Sequence, residues 1–262
     1  MPTDKILVEK DGAVGRIVFN NPERHNAVSM EMWEAVAEGL KTFTNDDEVR
    51  VIVVTGAGGK SFVSGADISK FEDERATEEA VKRYDEAGRR AYFGLYHCPK
   101  PTIAMIRGYC IGGGVAVAIS CDLRICTKES SFGIPAAKLG LGYAFDKVRQ
   151  LSDLVGPAFA KEIFFTGKRF TAEQAAEMGL VNRVVSDNEL EEFVQDYAET
   201  IAGNAPLTVA SIKKIANEIV KDPGDRDLAA CDAMVKTCFD SQDYIEGRRA
   251  FMEKRKPSFT GK

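Results

Sequence analysis

The residues of this chain whose types and spacing could do chemistry begin with three consecutive glycines, Gly112-Gly113-Gly114. An apolar run, Pro101 to Ile106, leads toward them, and a small, apolar, helix-prone stretch from Val115 to Ser120 follows. Glycines at the mouth of a helix let main-chain N–H groups approach a ligand with no side chain in the way. Those groups also lie at the positive end of the helix dipole and favour negative charge. Such a turn suits a phosphate, or an oxyanion formed during a reaction. The competing reading is a tight turn where two backbones pack closely, because a glycine-rich turn alone is a weak signal.

Other chemistries are short of residues. There are only two histidines, His25 and His97. HExxH is absent, no His/Cys cluster has zinc-ligand spacing, and neither histidine has a nucleophile elbow near it, so no metal is expected. His97 ends a helical stretch just before Cys98-Pro99, which predicts a cation at a helix C-terminus. The six cysteines (Cys98, Cys110, Cys121, Cys126, Cys231 and Cys238) form no CxxC pair. Four of them sit in apolar surroundings and read as buried free thiols of a reducing compartment. A net charge of −5 gives no reason to expect nucleic acid or an anionic membrane as partner. Met1-Pro2-Thr3-Asp4-Lys5 opens no signal peptide, and no apolar run approaches the roughly 18 residues of a membrane span, so a cytoplasmic protein is expected.

The elements that must position the glycine turn can be read along the chain. With 262 residues there is room for one large domain or two small ones. Ile6 to Lys10 and Val14 to Phe19 predict a β-hairpin around Asp11-Gly12. Ser29 is placed to cap a helix through about Phe43, with Met30, Trp33, Val36 and Leu40 on one face. Val51-Ile52-Val53-Val54-Thr55 is a continuous β-branched run, as in a buried parallel strand. Residues 69–97 are charged and helix-prone, with Tyr84, Ala87, Ala91 and Leu95 at helical spacing. Pro101–Ile106 and Leu123–Thr127 read as further strands. Strands alternating with helices, several strands apolar throughout, predict an α/β fold with parallel pairing. Beyond Gly140, helical patterns cover 146–165, 171–178, 187–203, 206–221 and 225–252, and only Val181–Val185 looks extended. The expected division is an α/β core over residues 1–200 and a helical region over 201–262.

Taken in order, several short motifs resemble those of the crotonase (enoyl-CoA hydratase/isomerase) superfamily over nearly the whole chain. They are Asn21-Pro22 with Asn26-Ala27, Ser61 to Ile68, Pro101 to Ala104, Gly108-Tyr109, Gly112-Gly113-Gly114 and Cys121-Asp122. Further on come Phe132-Gly133 with Pro135, Leu139-Gly140, Phe165-Thr166-Gly167, Gly179-Leu180-Val181 and Phe251 to Pro257. Each is weak alone; together, in this order and spacing, they are specific. The resemblance implies a ClpP-like spiral of ββα units, a C-terminal helical region that mediates trimerisation, and an acyl-CoA thioester as substrate. Coenzyme A would enter as part of that substrate, with no separate cofactor, and self-association would give a trimer or a dimer of trimers.

By motif, the N–H groups of Ala66 and Gly113 would hold the thioester oxygen. Chemistry beside a thioester passes through an enolate, and two fixed donors stabilise that charge more than they stabilise the neutral substrate. Ser64, Gly65, Asp67, Ile68, Gly112 and Gly114 would frame the pair. Asp67, shared by family members with different reactions, is expected to make a structural hydrogen bond. The resemblance also implies coenzyme A contacts from Arg24 and the backbone around His25 and Ala27. From the tail, Phe251, Phe259 and Lys254 or Lys256 would contribute, reaching a neighbouring subunit's site. The competing reading of Lys254-Arg255-Lys256 is a solvated charge run.

Hydratases of this family use two glutamates, and the matching positions here are Ala116 and Ala136. Alanine transfers no proton, so hydration is the least favoured reaction. The expected chemistry is one that an oxyanion hole can drive without a base, such as decarboxylation of a malonyl-type thioester. Leu139 to Tyr143, Pro206 to Lys214 and Asp243 to Phe259 are similar to the methylmalonyl-CoA decarboxylase branch, in which Tyr143 falls on a pocket tyrosine. That branch keeps a glutamate where this chain has Ala116. An isomerase or hydrolase using Asp146 is a second reading. Asp146 lies two residues beyond the family's aspartate site, an offset that turns a helical side chain by roughly 200°, and it could equally cap the helix. A non-catalytic acyl-CoA scaffold is the third.

Overall fold

The computed structural model describes residues 3–67 and 77–262; Ile68, one of the expected substrate contacts, lies outside them. Strands β1 (Ile6–Asp11) and β2 (Val14–Phe19) form the expected antiparallel hairpin, with Asp11 opposite Val14. The loop is therefore Gly12-Ala13, one residue later than Asp11-Gly12. Gly12 at φ +56° supplies the left-handed residue that matches the hairpin's twist.

Strands β3 (Val51–Gly56), β5 (Thr102–Ile106), β7 (Leu123–Thr127) and β10 (Arg183–Val185) continue this sheet in the order β1-β2-β3-β5-β7-β10, every pair after the hairpin parallel. A second sheet of β4 (Ser61–Val63), β6 (Tyr109–Ile111), β8 (Ser131–Gly133) and β9 (Phe170–Thr171) is parallel except for its last pair. Each repeat sends its first strand to the large sheet and its second to the small one. A helix then follows: α2 (Glu78–Tyr96) after β3-β4, and α3 (Gly113–Ser120) after β5-β6.

The β-branched runs have a reason to be apolar throughout, because both faces of the large sheet are covered. Ile52, Val54, Ala104 and Ile106 enter one core together with α1 (Met30–Thr44) and α2. The alternate residues Val51, Val53, Ile103 and Met105 enter the other, against Leu190, Val194, Ala198 and Ala202 of α6 (Leu190–Ala202). Each fully buried Val or Ile contributes about 1.5–3 kcal/mol. Ser29 does sit at the N-cap of α1, but its hydroxyl makes no cap bond; its carbonyl accepts from Met32 and Trp33 N–H.

Helix α4 (Phe145–Thr166) is broken at Gly156, where φ is +78°, and α5 (Ala172–Glu177) carries a capping box from Thr171 and Gln174. The chain ends in α7 (Pro206–Ile219), α8 (Leu228–Asp240) and α9 (Gln242–Glu253). The single pattern expected over 225–252 is thus two helices. Ser241 separates them, extended at φ −79° and ψ 155°, and its hydroxyl caps α9 by accepting from Tyr244 N–H. None of the six cysteines is disulfide-bonded, and five are buried. His97 closes α2 as expected but is not the cation foreseen there: burial, then the charges of Lys221, Lys214 and Lys213, push its pKa down.

Candidate active site

Strands β4 and β6 are parallel neighbours, so their carboxyl ends deliver the Ser64–Asp67 loop and the Gly112–Gly114 turn side by side. The approach is close. A Cβ on Gly65 would lie 3.7 Å from Gly113 N, and one on Gly113 would lie 3.5 Å from Gly65 Cα. Gly65 has φ +106°, and a Cβ on Gly114 would meet Val63 O at 2.0 Å. Glycine is therefore required at 65 by conformation and at 114 by contact.

The loop is held from one side by residues 24–28. Val28 N–H donates to Gly65 O at 2.8 Å, and Asp67 N–H donates to Val28 O at 3.0 Å. Ser64 N–H donates to His25 O, and the Ser64 hydroxyl to Arg24 O. In this parallel bridge, Val28 against Ala66, the amides of Gly65's neighbours alternate in direction, and that of Ala66 faces away from residue 28. Among the described residues neither Ala66 N–H nor Gly113 N–H donates to a protein acceptor. Two amides without a protein acceptor, one at the first position of α3 where the helix dipole is positive, are the kind of donors that suit an oxyanion.

Next to this seat opens a cavity of about 870 Å³, bounded by α2, α3, α4 and α7. Gly112, Ala116, Ile134, Tyr143 and Asp146 line it. Tyr143 packs edge-on against Phe164 at 4.9 Å, and burial raises its pKa, so it is a neutral phenol able to donate. Asp146 faces the cavity despite its two-residue offset. It is not the cap of α4, since Ala144 holds that position and the Asp146 carboxylate accepts from Lys147 N–H. Ala136 begins a short 3-10 turn, buried, and is not on the lining.

Two other titratable groups on the wall, Asp122 and Cys121, are not available for proton transfer or attack. Asp122 accepts from Thr102 N–H at 2.7 Å, the Thr102 hydroxyl at 3.0 Å and Lys213 Nζ at 2.7 Å. The Cys121 thiol is pushed up to about 12, first by burial and then by Asp122, which leaves no thiolate nucleophile. Among the described residues no group of His, Cys, Asp and Glu could hold a metal ion. No described helix is long and apolar enough to cross a membrane.

One neighbour escaped notice in the sequence. The Tyr92 hydroxyl lies 3.3 Å from the Cβ position of Gly113, and its ring packs edge-on against Trp33 at 4.8 Å. Its only signal was a place in the charged helix 69–97.

The expected coenzyme A residues divide into two places. Arg24 and His25 are exposed beside the Ser64 loop, and the His25 ring meets Tyr109 edge-on at 5.9 Å, with Asn26 buried between them and Ala27. Phe251 and Phe259 line a separate cavity of about 830 Å³ among α7, α8 and α9, and Lys254 is exposed at the end of α9. Within one chain, the tail and the amide pair are not brought together. Arg255, in the middle of the basic run, is engaged by Glu246 and Glu253.

Comparison with known proteins agrees with this geometry along the whole chain. The Enoyl-CoA hydratase/isomerase family profile matches residues 9–262. A short-chain-enoyl-CoA hydratase of Clostridium acetobutylicum is 34% identical over 256 residues, covering 98% of this chain and 97% of its own. A carnitinyl-CoA dehydratase of Salmonella typhi is 33% identical over 266 residues, 99% of this chain and all of its own. The crystal structure of an enoyl-CoA hydratase/carnithine racemase from Magnetospirillum magneticum superposes with a TM-score of 0.92 at 36% identity, covering all of this chain and 97% of that one. None of these three is a decarboxylase, so the similarity to the methylmalonyl-CoA decarboxylase branch gains nothing from them. Two sheets wound as ββα repeats, paired amides at the ends of adjacent strands, and full-length similarity meet in one conclusion: this chain belongs to the enoyl-CoA hydratase/isomerase family.

Proposed function

We propose that this protein is an acyl-CoA lyase that stabilises a thioester enolate between the amides of Ala66 and Gly113, and that decarboxylation generates the enolate. The observation that carries this reading is Ala116. It faces the cavity one helical turn after Gly113, where a hydratase would hold a glutamate, and the second glutamate position is the buried Ala136. Loss of CO₂ needs no base. The bond between the α-carbon and the carboxylate carbon breaks, its electron pair enters the enolate, and CO₂ departs. The α-carbon then takes a proton from the Tyr143 hydroxyl, which water restores. Arg24, the His25–Ala27 backbone and, from a neighbouring subunit, Phe251, Lys254 and Phe259 would hold coenzyme A, in a trimer or dimer of trimers.

A second reading has its own support. Asp146 lines the same cavity, and a carboxylate there could move an α-proton in an isomerase or activate water in a hydrolase. The named hydratase and dehydratase relatives keep hydration as a third. A panel of malonyl-, methylmalonyl-, 3-enoyl- and crotonyl-CoA separates these, with CO₂ release, double-bond position, free thiol and hydration followed together. CO₂ release from a malonyl-type thioester supports the first reading. Crotonyl-CoA hydration at an ordinary enzymatic rate would defeat it, and binding without turnover would point to a scaffold.

A further inference from the structure

We infer that the acyl group taken by this cavity carries a carboxylate, and that Lys147 is the residue that recognises it. The inference rests on the acyl-CoA reading of the amide pair and names the substrate class within it.

The cations on the cavity wall differ in what already holds them. Lys213 is paired with Asp122, Lys221 with Glu218, and Arg149 with Asp222 and Asp153. The Arg124 guanidinium donates to the Leu180 and Cys121 carbonyls. Arg89 is exposed at the rim, over the Phe93 ring. Lys147 alone is both half-buried and without a carboxylate partner among the described residues.

Its position makes that lack of a partner chemically useful. Lys147 Nζ lies 5.5 Å from the centre of the Tyr92 ring, and the Tyr92 hydroxyl lies against Gly113. One aromatic ring therefore separates the ammonium from the oxyanion seat, which is the span of a short acyl group. Lys147 also stands in the first turn of α4, whose positive end adds to the local potential. The nearest acid in the chain, Asp146, accepts the Lys147 main-chain N–H and does not pair with its ammonium. A neutral acyl chain would leave this partly desolvated cation without a counter-ion. A carboxylate one or two carbons from the thioester would supply one, with a charge-assisted hydrogen bond.

The test compares carboxylated and neutral thioesters on the full chain. Malonyl-CoA and its shape-matched neutral counterpart isovaleryl-CoA are titrated against wild type, K147M and K147R. Succinyl-CoA serves as a carboxylated thioester with no β-carboxylate to lose. Wild type is expected to bind succinyl-CoA and malonyl-CoA at least about tenfold more tightly than isovaleryl-CoA. K147M removes that preference while leaving isovaleryl-CoA affinity within about twofold, which also shows that the variant is folded. K147R restores part of it. Equal losses for both classes in K147M, or a wild type that prefers isovaleryl-CoA, would overturn the inference and leave Lys147 as packing for Tyr92. CO₂ release is followed in the same samples. Carboxylate preference without CO₂ release sinks the decarboxylase reading alone, whereas CO₂ release indifferent to K147M sinks the inference alone.

Discussion

At position 116 a methyl group stands where proton transfer would need a carboxylate, one turn into α3 and on the cavity wall. Placing an acid there tests the proposed decarboxylation. Two like charges about 4 Å apart in a partly screened site repel by about 4 kcal/mol. Ala116→Glu is therefore expected to weaken malonyl-CoA binding by about tenfold while isovaleryl-CoA binding changes little; kcat is expected to survive, because the decarboxylase branch keeps a glutamate at this position. Equilibrium titration and steady-state kinetics read the two effects separately, and a variant that binds malonyl-CoA as tightly as wild type would contradict the account. Much at this scale was legible in the sequence, because Gly65 and Gly114 are demanded by backbone conformation and contact, which leave a mark on residue type. Tyr92 and Lys147 leave none. A tyrosine and a lysine on amphipathic helices look the same whether they face a cavity or solvent, and only the packing of α2 against α3 and α4 distinguishes them. His97 differs from expectation for a related reason: its place at a helix end is visible in the sequence, whereas the three lysines that lower its pKa come from α7 and the turn after it.

Among the elements, β4 and β6 set the position of the amides, and α1 and α2 keep the β4 loop in place. Trp33 Nε1–H donates to the Tyr84 hydroxyl at 3.1 Å, and that hydroxyl donates to Val28 O at 3.0 Å. Val28 is the residue that pairs with Gly65 and Asp67. Tyr84→Phe keeps the ring but leaves the buried Trp33 Nε1–H without this partner, at a cost of about 1–3 kcal/mol, while Val28 O keeps the Asp67 N–H alone. Urea denaturation is expected to show the loss of stability. On the proposed mechanism, in which this loop carries a donor used most in the transition state, turnover should fall through kcat more than KM. A stable variant with unchanged kcat would show that the loop is fixed by other means.

The junction of α7 and α8 makes a pH prediction. Glu218 is buried at the end of α7, where Lys214 and Lys221 Nζ reach it at 2.6 and 2.7 Å and Asp227 N–H at 2.9 Å. These donors bring its pKa from 4.5 to about 2, Lys214 first. A depressed carboxylate pKa stabilises the fold above the unfolded value and loses that contribution as pH falls through the folded one. Stability is therefore expected to drop between pH 4.5 and about 2. Glu218→Gln should be less stable at pH 7 and lose less across that window, as read from urea midpoints at several pH values. Parallel slopes for the two proteins would remove Glu218 from the acid response. The helical pattern of α7 was plain in the sequence; this anchor was not, since its partners lie on both sides of a turn.

In the whole molecule, the helices after residue 205 leave large apolar side chains in the open. Leu228 is 63% exposed, Phe239 61%, Phe251 83% and Met252 79%. The tail itself is firmly set: the Asp243 carboxylate accepts from Thr260 and Gly261 N–H, and Lys262 O accepts from Gln242 N–H. A rigid scaffold presenting a broad apolar surface fits an interface between copies. It also fits the absence of Phe251 and Lys254 from the lining of the cavity beside the amide pair of the same chain, because a neighbouring subunit could use them. The proposed trimer or dimer of trimers is then expected in analytical ultracentrifugation at micromolar concentration. Leu228→Asp with Phe239→Asp, neither on the cavity beside the amide pair, should shift it toward monomer and lower acyl-CoA affinity. Lys254→Ala, exposed at the end of α9 and outside that apolar surface, should lower affinity while leaving assembly intact. A wild type that sediments as a monomer with full turnover would break the link between assembly and substrate binding. If instead the Asp variant became monomeric yet bound acyl-CoA as tightly as wild type, the assembly would stand and the tail would lose its part in holding coenzyme A.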